Sequence, residues 1–168
     1  LQDILKKAKK QKKHVLLDFG SPRCSPCLFI KNKIFTIDSI ADFINERFVS
    51  VDYTEGPEKK RLSKIYEVYT EPVLLICDAN GRVMHRMEGK CTAGEMMARL
   101  RQGLDVKNNL TAQKLMYDNG NRSSEFLINY LETLHIAGLR TQRDSVLQNI
   151  FSPSFHVDSL KTPKYWNV

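Results

Sequence analysis

Two cysteines separated by two residues are the part of this sequence best suited to chemistry. Cys24-Ser-Pro-Cys27 directly follows an apolar run at residues 14–20. Pro26 suits the first turn of a helix, because its missing N–H would have no intrahelical partner there. The free N–H groups and partial positive charge of a helix N-terminus stabilise a thiolate. Cys24 could therefore attack disulfides near neutral pH, and Cys27, one helical turn later, could resolve the mixed disulfide.

A zinc site and a purely structural disulfide are the alternative interpretations of this pair. Zinc needs a second pair of ligands at metal-binding spacing, but the other cysteines, Cys77 and Cys91, stand alone in the sequence. A disulfide across so few residues closes a very small loop and removes little chain entropy. The pattern therefore favours a redox-active pair and predicts no metal.

The segments around the pair alternate between strands and helices. Apolar runs predict strands at residues 14–20, 48–53, 72–77 and 83–87, with a tight turn at Asn80-Gly81 between the last two. Helical spacing predicts helices over residues 2–12 and 93–104, and others beginning near Cys24, Asp38 and Pro57. This order, α-β-α-β-α-β-β-α, predicts an α/β fold with a mixed sheet flanked by helices on both faces.

The sequence after residue 107 shows helical spacing and no strand pattern. A short helix is expected at residues 110–118, followed by an αα-hairpin that Gly138 interrupts and whose second helix Thr141 could cap. The predicted domains are therefore a sheet domain at residues 1–106, an all-α hairpin extension at 107–152 and an irregular tail at 153–168.

The charge of the chain is concentrated at one end. The net charge is +7, and six lysines with one acid give residues 1–13 a charge of +5. A surface that binds nucleic acid normally spreads its basic residues over a folded face. We therefore interpret the lysines as a solvated helix face and expect no nucleic-acid partner. No apolar run approaches the length of a membrane span.

The motifs together resemble the thioredoxin superfamily over about residues 1–105. The segment from His14 to Cys27 is similar to the family's active-site strand and turn, and Asp18 stands at the position of its buried aspartate. Glu71-Pro72 is similar to the cis-proline segment, and Gly89 to the closing hairpin. The resemblance implies a thioredoxin-like fold and a thiol–disulfide oxidoreductase that needs no cofactor. Its partners would be proteins with disulfides or thiols and an upstream thiol redox partner.

The resemblance also implies roles for individual residues. Cys24 would be the nucleophile, Cys27 the resolving thiol, Asp18 the proton acceptor and Pro72 a substrate-positioning residue. The residues expected to line the substrate groove are Arg23, Glu71 and Gly89. Burial on an apolar strand should raise the pKa of Asp18, which suits a proton acceptor. An aspartate that is simply satisfied by backbone donors is the alternative.

Several positions depart from the family pattern. Arg23 and Gly20 stand where thioredoxins usually carry aromatic residues, and Ser50 stands where a lysine near the buried aspartate is usual. Arg23 should favour a thiolate on Cys24, whereas Glu71 should oppose it. The balance of these two charges, and with it the direction of catalysis, stays open from the sequence.

Two other functional classes stay open. Because the usual aromatic residues are absent at Gly20 and Arg23, the protein could instead be a binding module. In that case Cys24 and Cys27 would be vestigial or structural, and the helical extension would recruit a partner. A copper-delivery protein would need a suitably placed histidine, and the sequence shows none. Cys91 could be a third redox thiol or a partly buried bystander. The segment around residues 125–138 weakly resembles one tetratricopeptide unit, which could pack on the sheet domain or extend a partner surface.

The cellular location is expected from resemblance alone. Similar helical tails occur on exported thioredoxin-like proteins of bacterial envelopes. We therefore expect the periplasm or cell envelope, with the cytoplasm as the alternative.

Overall fold

Four strands form one mixed sheet in a computed structural model that describes residues 1–150. Their order in the sheet is β2-β1-β3-β4, with β1 at His14–Phe19, β2 at Phe48–Tyr53, β3 at Val73–Cys77 and β4 at Val83–Glu88. β2 runs parallel to β1, whereas β3 is antiparallel to both β1 and β4. The predicted mixed α/β sheet is confirmed. The tail predicted at residues 153–168, and the last two residues of the predicted extension, lie outside the described residues.

Helices flank this sheet and continue beyond it. They are α1 Gln2–Gln11, α2 Ser25–Phe29, α3 Asp38–Arg47, α4 Pro57–Ile65, α5 Ala93–Leu104, α6 Leu110–Asp118, α7 Ser124–Ile136 and α8 Arg140–Ile150. The prediction that Thr141 caps the last helix is wrong, because α8 begins one residue earlier and Thr141 lies within its first turn. None of the helices within residues 1–150 combines the length and the apolar character needed to cross a bilayer.

A π-helical segment, Ile30–Ile34, continues α2 and was not predicted. The N–H of Phe35 donates to the carbonyl of Ile30 at 2.9 Å, which is an i→i+5 hydrogen bond. Its apolar residues Ile30 and Ile34 are buried against the sheet, while Lys31 is left on the surface. Such wider turns occur mostly inside α-helices and frequently near functional sites.

The alternation of side chains along β1 decides which residue faces the active-site helix. Val15, Leu17 and Phe19 pack on one face, together with residues of α1 and α4. Leu16 packs on the opposite face, with the π-helical segment, α3 and α5. Because successive side chains on a strand point to opposite faces, Asp18 shares the face of Leu16. The strand thus places this carboxyl group beneath the helix that carries Cys27.

The C-terminal helices pack on the edge of the sheet. Arg86 of β4 is buried, and its Nε donates to the carbonyl of Ala137 at 2.9 Å. The N–H of Leu110 donates to Nδ1 of His85 at 3.2 Å, and Oγ1 of Thr111 donates to the carbonyl of Val83 at 2.9 Å. The described extension therefore covers β4, which agrees with the packing interpretation. Its own small apolar core lies between α6, α7 and α8.

Candidate active site

Cys24 and Cys27 are joined in a disulfide at the start of α2, with their Cα atoms 5.2 Å apart. Cys24 is the N-cap of the helix, and the N–H of Cys27 donates to its Sγ at 3.2 Å. This donor is in place to stabilise a thiolate on Cys24 after reduction, because hydrogen bonds to a charged form favour that form. Both cysteines are partly exposed, as attack on or by a substrate sulfur requires.

Asp18 lies beneath the disulfide, beside a second carboxylate. It stands opposite Asp52 in the parallel pairing of β1 and β2, and Nζ of Lys31 donates to Oδ2 of Asp52 at 2.6 Å. Burial, together with the Asp52 charge that Lys31 partly offsets, raises the pKa of Asp18 to about 7. Its carboxyl group can therefore gain or lose a proton near neutral pH. A cleft of about 240 Å³ is bordered by both Asp18 and Cys27.

Glu71 lies on the outer side of the disulfide. Its peptide bond to Pro72 is cis, as the resemblance implied. A carboxylate oxygen of Glu71 and the sulfurs of Cys24 and Cys27 all lie within 4.8 Å of one another. Burial raises the pKa of Glu71, but hydrogen bonds from Lys59 and Ser21 outweigh it, so that the pKa falls below its ordinary value. The structure therefore places an ionised carboxylate directly beside the pair.

The other residues expected at the groove occupy the same end of the sheet. The N–H of Gly89 donates to the carbonyl of Pro72 at 3.0 Å, which ties the end of β4 to the cis-proline segment. Arg23 is exposed immediately before Cys24. A β-carbon at Gly20 would lie 3.1 Å from both Cβ and Sγ of Cys27. Gly20 thus leaves room for the second cysteine where a larger residue would press on it.

Sequence reasoning missed three charged residues at this site: Lys31, Asp52 and Lys59. Asp52 had a usable signal, since it follows Ser50 by two residues and so faces the same side of β2. Lys31 comes from the unpredicted π-helical segment, and its charge lowers the pKa of Asp18. Nothing in the local sequence marked Lys59, because its neighbours at the site are distant in the chain.

The two remaining cysteines are buried in the core. Cys77 is fully buried on β3, and burial raises its pKa to about 12. Cys91 is 6% exposed within the apolar cluster that includes Met96 and Leu100, and burial also raises its pKa. These surroundings favour the bystander interpretation of Cys91 over a third redox thiol.

One group of three residues in the described chain has the spacing of metal ligands, namely Cys24, Cys27 and Glu71. Two of its ligand atoms are joined in the disulfide, so this group could hold a metal only after reduction. It includes no histidine, which the copper-delivery interpretation requires.

Comparisons with known proteins agree with the fold of the sheet domain. Residues 1–104 match the model of a thioredoxin-like domain family. A thioredoxin from Thermus thermophilus is 21% identical over 65% of this chain and 86% of its own, with a TM-score of 0.57. A candidate disulphide-isomerase from Bacteroides thetaiotaomicron is 28% identical over 61% of this chain and 86% of its own, with a TM-score of 0.54.

The C-terminal domain of DsbD from Neisseria meningitidis, in its oxidised form, is 22% identical over 60% of this chain and 90% of its own, with a TM-score of 0.52. No curated protein matches the chain.

Proposed function

Because the chain belongs to the thioredoxin-like domain family, we propose that it is a thiol–disulfide oxidoreductase acting on protein disulfides. The observation that carries this proposal is the partly exposed Cys24–Cys27 disulfide at the start of a helix, with the N–H of Cys27 directed at the sulfur of Cys24. The likeness to a candidate disulphide-isomerase at 28% identity supports the same chemistry.

In the reducing direction, the Cys24 thiolate attacks one sulfur of a substrate disulfide. A bond forms between Cys24 and that sulfur, and the other substrate sulfur leaves as a thiolate. Cys27 then attacks Sγ of Cys24, the substrate's second thiolate leaves, and the domain keeps the disulfide. Two electrons pass to the substrate, and an upstream thiol redox partner must restore the dithiol. The oxidising direction reverses these steps.

Asp18 is proposed to accept the proton of Cys27 during the resolving step. A pKa of about 7 lets its carboxylate take a proton near neutral pH and return it afterwards. The cleft that borders Asp18 and Cys27 is where water would carry the proton between them.

The substrate groove is proposed to run past the cis-proline segment. Pro72 would expose the backbone before it for pairing with an extended substrate strand. Glu71 and Gly89 would flank that strand, and Arg23 would lie at the rim beside Cys24.

Single cysteine variants test this proposal. We expect Cys24→Ser to abolish turnover of insulin disulfides or of a dithiol probe, and Cys27→Ser to accumulate a mixed disulfide with substrate, visible by mass spectrometry. Turnover by the Cys24→Ser protein would overturn the proposal. A Cys24 pKa near that of a free thiol, roughly 8.5, with no turnover by the unaltered protein, would instead favour the binding module.

The direction of the reaction follows from the reduction potential. A value near roughly −270 mV would indicate a reductase, and one near −120 mV an oxidase. A periplasmic or envelope location, rather than a cytoplasmic one, is part of this proposal, and fractionation of cells that express the full-length protein would test it.

A further inference from the structure

Lys59 is the charged residue whose contacts best explain how Glu71 is held at the disulfide. Its Nζ donates to the carbonyls of Gly20 at 2.6 Å and Thr54 at 3.0 Å, and also to Oε1 of Glu71. An ammonium group has three protons, so these three acceptors use all of them. The side chain is only 17% exposed. It therefore connects the ends of β1 and β2 with the cis-proline segment.

The position of this ion pair matters because Glu71 is so close to the two sulfurs. A negative charge within 4.8 Å of Sγ of Cys24 disfavours a thiolate there, which would make the dithiol harder to form. The ammonium of Lys59 is hydrogen-bonded to this carboxylate and has the opposite sign. The two charges therefore act on the same thiolate in opposite directions.

We propose that Lys59 is a positioning residue that holds the Glu71 carboxylate beside the disulfide and offsets its charge, so that the carboxylate does not by itself shift the reduction potential of Cys24 and Cys27. This inference rests on the proposed redox function of the pair. On this account Glu71 does not act on Cys24 as an isolated charge.

The potential is defined by the reduction of the Cys24–Cys27 disulfide by glutathione. Two glutathione thiols reduce the Cys24–Cys27 bond, giving the dithiol and one glutathione disulfide, with a glutathione–Cys24 mixed disulfide as the intermediate. Where the Cys24 thiol of the reduced protein ionises, its proton goes to solvent. Any neighbouring charge that stabilises this thiolate shifts the equilibrium towards the reduced protein.

The test is a double-mutant cycle with the variants Lys59→Met, Glu71→Gln and their combination. The equilibrium between the Cys24–Cys27 dithiol and disulfide is measured in mixtures of reduced and oxidised glutathione or dithiothreitol. Lys59→Met leaves the carboxylate uncompensated, so we expect the equilibrium to shift about tenfold towards the disulfide, which is about 30 mV more reducing. Glu71→Gln leaves the ammonium alone, so we expect a shift of about tenfold in the opposite direction. The double variant should return to within about twofold of the unaltered protein.

Two controls separate charge from structure. Lys60→Met removes the same charge from the exposed neighbouring position on α4 and should leave the potential unchanged. Lys59→Arg keeps the charge and should stay close to the unaltered protein. A purely structural role would shift both single variants in one direction or leave both unshifted, and either result would overturn the inference.

The shifts in the thiol–disulfide equilibrium can be measured whether or not the protein turns over a substrate. If the protein turns over substrate but the single variants show no opposite shifts, this inference fails while the proposed function stands. If the opposite shifts occur without turnover on any disulfide substrate, the proposed function fails and the inference about the pair stands.

Discussion

Two carboxylates lie on opposite sides of the same disulfide, and each has a lysine within reach, yet their protonation differs. On the outer side, Lys59 bonds Glu71 directly, and its hydrogen bond helps to hold the pKa of Glu71 below its ordinary value. On the inner side, Lys31 bonds Asp52 instead of Asp18, and burial raises the pKa of Asp18 to about 7. Burial without a directly bonded lysine therefore leaves Asp18 able to exchange a proton, whereas the direct bond to Lys59 helps to keep Glu71 as a fixed negative charge.

The largest expected effect comes from removing the inner carboxyl group. Asp18→Asn should slow the resolving step by about 10²-fold, within the range typical of general base catalysis. The rate of the unaltered protein should fall as the pH drops through about 7 and Asp18 becomes protonated, whereas the variant should lack this limb. Stopped-flow reduction of insulin across pH 5–9 measures both. Asp42→Asn, an exposed aspartate on α3, is the matched control, and an unchanged profile in Asp18→Asn would refute the assignment.

Stability should respond to the two carboxylates with opposite signs. The folded pKa of Asp18 is raised from 3.8 to about 7, so folding loses stability as the pH rises through that window. Asp18→Asn should therefore be more stable than the unaltered protein at pH 8, by roughly 4 kcal/mol, with little difference at pH 4. The folded pKa of Glu71 is lowered, so the stability that Glu71 contributes is present at neutral pH and lost in acid.

Glu71→Gln should accordingly destabilise the protein at pH 8, by about 1 kcal/mol or less because the pair is partly exposed, and the difference should vanish in acid. Urea unfolding of the oxidised proteins at pH 8, at pH 4 and at a pH well below the lowered pKa of Glu71 measures both effects. A loss of stability in both variants at pH 8 would contradict the contrast between the two sites.

A smaller effect is expected from the groups around Asp18. Lys31 lowers the pKa of Asp18 and Asp52 raises it. The rate of the resolving step falls at the pH where Asp18 becomes protonated. Lys31→Met should therefore move this fall to higher pH, and Asp52→Asn should move it to lower pH. At pH 7 about half of Asp18 is ionised, so Asp52→Asn should raise the rate by at most about twofold, whereas Lys31→Met should lower it by roughly threefold. The ¹³C chemical shift of the Asp18 carboxyl group reports the same titration directly, and shifts in the same direction for both variants would count against this account.

The smallest effect should come from Gly20. A β-carbon there would lie 3.1 Å from Cβ and Sγ of Cys27, closer than an ordinary van der Waals contact, so Cys27 would have to move slightly. We expect Gly20→Ala to slow resolution by about twofold while the pKa of the Cys24 thiol stays unchanged. Gly94→Ala, which adds a β-carbon into open space on α5, provides the comparison. A faster resolving step in Gly20→Ala would show that Cys27 is not crowded.

Most of the strands and helices could be predicted from the sequence. The apolar runs located all four strands within a residue or two, and the bounds of α5 and α6 agree with the helical spacing. The π-helical segment was not predicted, because a single i→i+5 turn leaves the apolar spacing of Ile30 and Ile34 almost unchanged. The start of α8 was misplaced because Thr141 has the chemistry of a cap without occupying its position.

The sequence by itself determined the Cys24-Ser-Pro-Cys27 motif and the apolar strand that carries Asp18, because these depend on residue types and spacing within short segments. Only the tertiary structure decided which lysine neutralises which carboxylate. Lys59 and Glu71 lie on different elements, as do Lys31 and Asp52. Ionic partners are chosen by distance in space, and burial then decides how strongly each charge acts, so neither can be deduced from the order of residues along the chain.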